Sequence, residues 1–232
     1  MSFGPAGYQT KVLINGPSTV AAGEACVAMA DDLAGRKRYQ ITNAAHRILD
    51  RTQAVTVYEN GVAQAPAVLY RIDTLFGIII FAVGHTPSTP VTADVHWLST
   101  LPLPGGFDAK LSRKNMMGDN KQYADGDRQK RRLPTLLDAS IALKGRGTVL
   151  DDYDAGTVGT QNVDGLVNAG TPMLVQLDPD GANTWVFRGW FALDSDGQNV
   201  PLADIASYDL SGQLDASGLS SLYGAGFAWG AP

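Results

Sequence analysis

The residues able to do chemistry are few and scattered. The chain has three histidines, His46, His85 and His96, with no pair spaced i, i+4 and no neighbouring acidic ligand, so their spacing predicts neither a zinc site nor a general base held by a partner. Cys26 lies between Ala25 and Val27, an apolar setting that points to an inert buried thiol rather than an activated nucleophile. Asp151-Asp152-Tyr153-Asp154 and Asp178-Pro179-Asp180-Gly181 resemble pieces of calcium loops, but neither has the ordered ligands closed by a bidentate glutamate. They read as Asp-rich turns. There is no Gly-x-Ser-x-Gly, Gly-x-Gly-x-x-Gly or Gly-x-x-x-x-Gly-Lys-Ser/Thr string, so a nucleophile elbow and both common phosphate cradles lack support. The expectation is a protein without catalysis, cofactor or metal.

Two clusters remain. Trp185, Phe187, Trp190 and Phe191 would make a stacking platform for sugars if exposed, or core if buried; their β-pattern favours core. Arg113, Lys114, Lys121, Arg128, Lys130, Arg131 and Arg132 form a basic stretch with few large apolar residues. It reads as a solvated loop, as an ordered docking loop, or as a nucleic-acid contact. Tyr123 is the one aromatic within it, which weakens the last.

The net charge of −5 hides a division: −1 over residues 1–109, +6 over 110–149 and −10 over 150–232. A basic loop and an acidic remainder on one chain suit head-to-tail association of copies. The acidic candidates for a partner face, or for the wall of a conduit, are Asp151, Asp152, Asp154, Asp178, Asp180, Asp194 and Asp196.

The elements that must position these residues are mostly strands. The 232 residues are 44% hydrophobic and 18% charged, with 26 glycines and 12 prolines and with glutamate only at Glu24 and Glu59. That composition buries a core and supplies many tight turns, but not long surface helices. No apolar run approaches the ~20 residues of a membrane span. The start, Met1 to Gly7, has neither the basic residue nor the apolar stretch of a secretory signal, and one cysteine permits no intrachain disulfide, so cytosolic synthesis is expected.

Along the chain, Lys11 to Ile14 predicts a strand in an arm over residues 1–23, and Thr42 to Asp50 a short helix. Ala54 to Tyr58, Leu69 to Ile72 and Gly77 to Phe81 predict a three-stranded meander, with Asn60-Gly61 as a type I′ turn. Val91 to Leu98 predicts a strand that the prolines at 102 and 104 stop, placing a boundary near 101–106. Then come strands at 107–112, at Ala139 to Lys144, at Pro172 to Leu177, at Thr184 to Leu193 and at Ala206 to Leu214. A short helix is expected at Val163 to Ala169 and a hairpin turn at Asp178 to Gly181, while the tail from Ser217 has no clear period. The division is a β-rich part at 1–103, arm plus meander, and a β-sandwich part at 104–232 with a long basic loop at 113–132, or one merged domain.

In its order of elements the chain resembles the tail tube proteins of long, non-contractile tailed phages, the lambda-like major tail protein family. The residues that carry this are Arg38 to Thr42, Val55 to Gly61, Tyr70 to Asp73, Gly77 to Phe81, Leu133 to Leu143, and Thr171 to Leu177 leading into the aromatic strand. The resemblance implies a mainly β, antiparallel β-sandwich or barrel-like subunit with one or two short helices. It implies self-association into rings, usually hexameric, stacked into a tube that conducts phage DNA without binding it specifically. The implied partners are the chain itself, a tape measure and a terminator protein, with no membrane. The implied location is the virion tail, assembled in the host cytoplasm. In this family a long loop reaches the adjacent ring, and residues 113–132 are its counterpart. A tail terminator, a head decoration subunit, or a sugar-binding β-sandwich using Trp185 and Trp190 are the alternatives.

Overall fold

The computed structural model describes residues 11–66, 68–102, 106–120, 131–146, 172–178, 186–199, 207–215 and 227–230. The strands are β1 (Lys11–Met29), β2 (Arg38–Ile41), β3 (Thr56–Glu59), β4 (Val62–Ala63), β5 (Tyr70–Asp73), β6 (Ile78–Phe81), β7 (Val91–Pro102), β8 (Gly106–Asn120), β9 (Arg131–Arg146), β10 (Met173–Asp178), β11 (Val186–Asn199), β12 (Ser207–Leu214) and β13 (Phe227–Gly230). All the ladders between them are antiparallel, in the order β4-β3-β7-β1-β10-β11-β12-β9-β8, with β13 also on β11. A second layer, β5-β6-β2, joins the last four residues of β1, Cys26 to Met29. The fold is mainly β, as the glycine- and turn-rich composition requires.

Strand β1 is much longer than its Lys11–Ile14 signal. It runs for 19 residues because two irregularities, between Asn15 and Ser18 and between Ala21 and Glu24, take up Gly16-Pro17 and Gly23 without ending the pairing to β7. Gly23 has φ +66° and its N–H donates to Asp94 Oδ1 at 2.7 Å.

Core formation follows the two faces of the strands. Ile14, Ile141, Leu143, Val175, Phe187 and Phe191 pack on one side; Leu174, Val186 and Trp190 point to the other, where Ile48, Leu75, Phe76 and Leu98 meet them. A third cluster, including Ile41, Val57, Tyr70, Ile79, Phe81 and Val95, fills the space between the second layer and β3–β7. β11 is therefore apolar on both faces, and all six residues of β10 are buried.

Four expectations are corrected. The helix at Thr42 to Asp50 contracts to a 3-10 turn, Ala44–His46, capped by Asn43, whose side chain accepts from Ala45 N. Past Arg47 the chain is captured instead: Leu49 N donates to Thr74 O at 2.8 Å and Leu98 N to Ile48 O at 2.8 Å. Tertiary pairing outweighs a weak helical preference. The meander is two hairpins in different layers, because β3 takes β7 as its second neighbour and β5–β6 pairs with β2; the Asn60-Gly61 turn between β3 and β4 is as expected, with φ of 47° and 79°. β7 continues through Leu101 to Pro102, opposite Leu13. The basic segment 113–132 is strand up to Asn120 and again from Arg131. The helix expected at Val163 to Ala169 lies outside the described residues.

Candidate assembly interface

β8 and β9 form an antiparallel hairpin from Gly106↔Gly145 to Asn120↔Arg131, with register shifts between Gly106 and Asp108 and between Met116 and Met117. On its other side β9 is held by β12 only from Ser140 to Arg146. Residues 131–139, with their β8 partners, thus extend past β12 as a two-stranded ribbon of about 30 Å at ~3.3 Å per residue. Two facing strands alone are marginally stable in water. Among the described residues β8 has no second neighbour, so its 15 residues present an open sheet edge.

The ribbon carries four of the seven basic candidates. Arg113 and Lys114 lie on β8, and Arg131 and Arg132 on β9. The register sets Lys114 opposite Asp138 and Asp119 opposite Arg132. Lys121, Arg128 and Lys130 lie outside the described residues.

Of the acidic candidates, three lie on described strands. Asp178 ends β10, opposite Lys11, and is buried with 2% exposure. Asp194 falls at the irregularity of β11 between Leu193 and Ser195, and Asp196 stands opposite Leu210. Asp151, Asp152, Asp154 and Asp180 lie outside the described residues. Of the aromatic cluster, Phe187, Trp190 and Phe191 are buried, at 0%, 3% and 0% exposure. That removes Trp190 as an exposed sugar platform; Trp185 lies outside the described residues.

The titratable groups serve the fold. His46 Nδ1 lies 2.7 Å from Glu24 Oε1 and its ring stacks on Trp97 at 4.4 Å. His85 Nε2 lies 2.7 Å from Glu59 Oε1, whose other oxygen accepts from Ser88 N at 2.8 Å. The sequence signals no acidic neighbour for either histidine, because each partner is distant along the chain. Among the described residues no three His, Cys, Asp or Glu side chains gather as a metal site. Cys26 is half-buried, and burial, with Glu24 nearby, pushes its thiol up to about 12. At neutral pH it is a thiol, not a thiolate.

A groove of about 550 Å³ is bounded by β1, the 3-10 turn, β7, β10 and β11, with Lys11, Gln176, Asp178 and Arg188 among its lining residues. Arg188, the one basic residue in 150–232, is 3% exposed. Its Nε donates to Gln176 Oε1 and its Nη1 to Leu75 O, both at 2.8 Å, and the guanidinium lies 4.9 Å from the Phe76 ring centroid. Burial pulls its pKa down to about 10, against the opposing charge of Asp73. Its standing as the lone basic residue of 150–232 is the sequence signal that points to it.

No protein-family model matches the chain, and no curated protein matches it. Among solved structures, two similar chains come from gene transfer agent particles. One is from the tail of an empty particle, refined helically with C6 symmetry, at 17% identity over 51% of this chain and 84% of that one, with a TM-score of 0.40. The other is from the virion of a native particle, at 17% identity over 51% of this chain and 85% of that one, also at 0.40. Among the described residues no helix is long and apolar enough to cross a membrane.

Proposed function

We propose that the chain is a structural protein of a phage tail, the subunit of its tube, working by self-association and without catalysis. The observation that carries this reading is the β8–β9 ribbon: a basic hairpin reaching about 30 Å past its last supporting strand, with one edge open. Such a ribbon gains its stability and its hydrogen-bond partners from a neighbouring copy. The sequence resemblance to tail tube proteins supports the same reading and adds its finer parts: stacked rings, six copies per ring, contacts with tape measure and terminator proteins, and a bore for DNA. The ribbon, with Arg113, Lys114, Lys121, Arg128, Lys130, Arg131 and Arg132 on it or at its tip, docks on the next ring. The −10 charge of residues 150–232 keeps passing phosphates from sticking wherever those aspartates line the bore.

Negative-stain electron microscopy of the purified chain over a concentration series tests this. Hollow tubes of constant width are expected. Lone rings would favour a terminator, and a persistent monomer would favour a head decoration subunit. The double variant Arg131→Glu, Arg132→Glu is expected to stay folded and to lose tube yield; an unchanged yield would overturn the docking role of the ribbon.

A further inference from the structure

The chain has two Asn-Gly steps, Asn15-Gly16 and Asn60-Gly61. They share a chemistry: with no side chain on the glycine to hinder it, its backbone nitrogen can attack the amide carbon of the asparagine before it. Their surroundings are opposite. Asn15 lies in β1, opposite Thr100 of β7, and its Oδ1 accepts the N–H of the fully buried Leu174 at 2.9 Å. A Cβ built on Gly16 would collide with Ser99 Oγ, so the backbone there is hemmed in. Asn60 and Gly61 are exposed at the tip between β3 and β4, and a Cβ on Gly61 would meet nothing within 4 Å. The Asn60 N–H donates to Pro90 O at 2.9 Å, while among the described residues its side-chain amide has no hydrogen-bond partner.

We propose that Asn60 is a site of spontaneous deamidation in the folded chain, and that Asn15, with the same glycine neighbour, is shielded from it. The Gly61 nitrogen bonds to Asn60 Cγ and gives its proton to solvent, the side-chain amide nitrogen leaves as ammonia, and water then opens the five-membered imide. Opening at one carbonyl leaves aspartate. Opening at the other leaves isoaspartate, in which the main chain runs through Cγ. The attack requires the backbone to leave its paired shape. For Asn60 that means releasing β4, two residues at the end of the sheet, a local opening of low cost. For Asn15 it means pulling β1 off β7 and off Leu174 in the core, which approaches global unfolding.

The two products differ in consequence. Asp-Gly suits a type I′ turn as Asn-Gly does, so aspartate leaves the hairpin standing. Isoaspartate adds a main-chain atom to a two-residue turn, and the pairs Glu59↔Val62 and Tyr58↔Ala63 lose the turn that aligns them. β4 then leaves β3, and a strand whose Val57 is fully buried acquires an open edge that other chains can pair with. The site is independent of the tube reading.

The test holds the full chain in mildly alkaline buffer, folded or in urea, and digests samples with trypsin over time. The reporters are the peptides Val12–Arg36 and Thr52–Arg71, each with a single asparagine, and mass spectrometry reads the gain when an amide becomes an acid. In the folded chain Asn60 is expected to convert at least about tenfold faster than Asn15, the ratio that about 1.4 kcal/mol of extra opening cost supplies. In urea the two rates should converge. Equal rates in the folded chain, or conversion of Asn60 in urea alone, would overturn the proposal; a gap that persists in urea would assign the difference to sequence and overturn the shielding. Asn60→Gly keeps a favoured turn sequence and is expected to abolish the gain in Thr52–Arg71, whereas a gain that survives would place the reaction at another residue. Hydrogen exchange checks the consequence: the β3 amides should exchange faster in the isoaspartate form than in Asn60→Asp, and equal exchange would overturn the loss of β4.

Discussion

Gln176 and Arg188 stand opposite each other across β10 and β11, and the amide oxygen of one accepts the Nε–H of the other at 2.8 Å in a buried site. With Leu75 O on Nη1, this bond fastens the loop between β5 and β6 to the main sheet. Replacing Gln176 by Leu leaves the Nε–H unpaired in the interior. A loss of about 1–3 kcal/mol is expected, read from the urea midpoint; an unchanged midpoint would mean that water or another acceptor takes the amide's place.

Gly77 and Gly84 both hold left-handed backbone, with φ of 59° and 80°. A Cβ on Gly77 would lie 2.9 Å from Arg47 Cα and 3.0 Å from Arg47 O, whereas one on Gly84 would meet nothing within 4 Å. Gly84→Ala is expected to cost about 1–2 kcal/mol from conformation alone, and Gly77→Ala about 2–4 kcal/mol because backbone crowding is added. Thermal unfolding of the two variants side by side measures the difference, and equal losses would show that the Arg47 backbone yields.

Burial raises the pKa of Asp73 despite the N–H groups of Leu75 and Phe76 and the charge of Arg188. A carboxyl that holds its proton more tightly folded than unfolded contributes stability below its unfolded value of about 3.9 and loses that contribution as pH rises through the folded value. Wild type should therefore lose ground to Asp73→Asn between pH 4 and pH 7. Calorimetric melting temperatures at the two pH values check this, and a gap moving the other way would refute it.

Cys26, its thiol pushed up to about 12, carries almost no thiolate at pH 8. Iodoacetamide should label it slowly in the folded chain and at the ordinary rate in urea, as followed by intact mass. Rapid labelling of the folded chain would contradict the burial that sets its pKa.

The strands with a strong local pattern were legible. Ala139 to Lys144 alternates buried and open as its spelling predicts, and Asn60-Gly61 turns where positive φ is required at both positions. What was not legible depends on distant partners. The β1 strand past Gly16-Pro17 exists because β7 follows it through two irregularities, and Leu49 leaves a helical path because Thr74 O is waiting. The basic residues 113–132 read as a loop, since Lys, Asn and Asp are poor strand formers by themselves; the extended form of 113–120 and of 131–132 is imposed by the pairing of β8 with β9. The groove escaped notice because Lys11, opposite Asp178, is far from Gln176 and Arg188 in sequence and reaches them only through the pairing of β1 with β10.

The register of β1 also governs how the chain can be made. Ile14 is among the first described residues to leave the ribosome, yet its partner Val175 lies 161 positions later. At roughly 5–20 residues per second, that is about 8–30 s during which the edge of β1 toward β10 is open. Loop closure over such a span is slow to nucleate, so the first-made strand is among the last to be completed. A nascent chain paused before β10 holds β1 by β7 and, at Cys26 to Met29, by β2, and leaves Lys11 to Ile14 without their β10 partners.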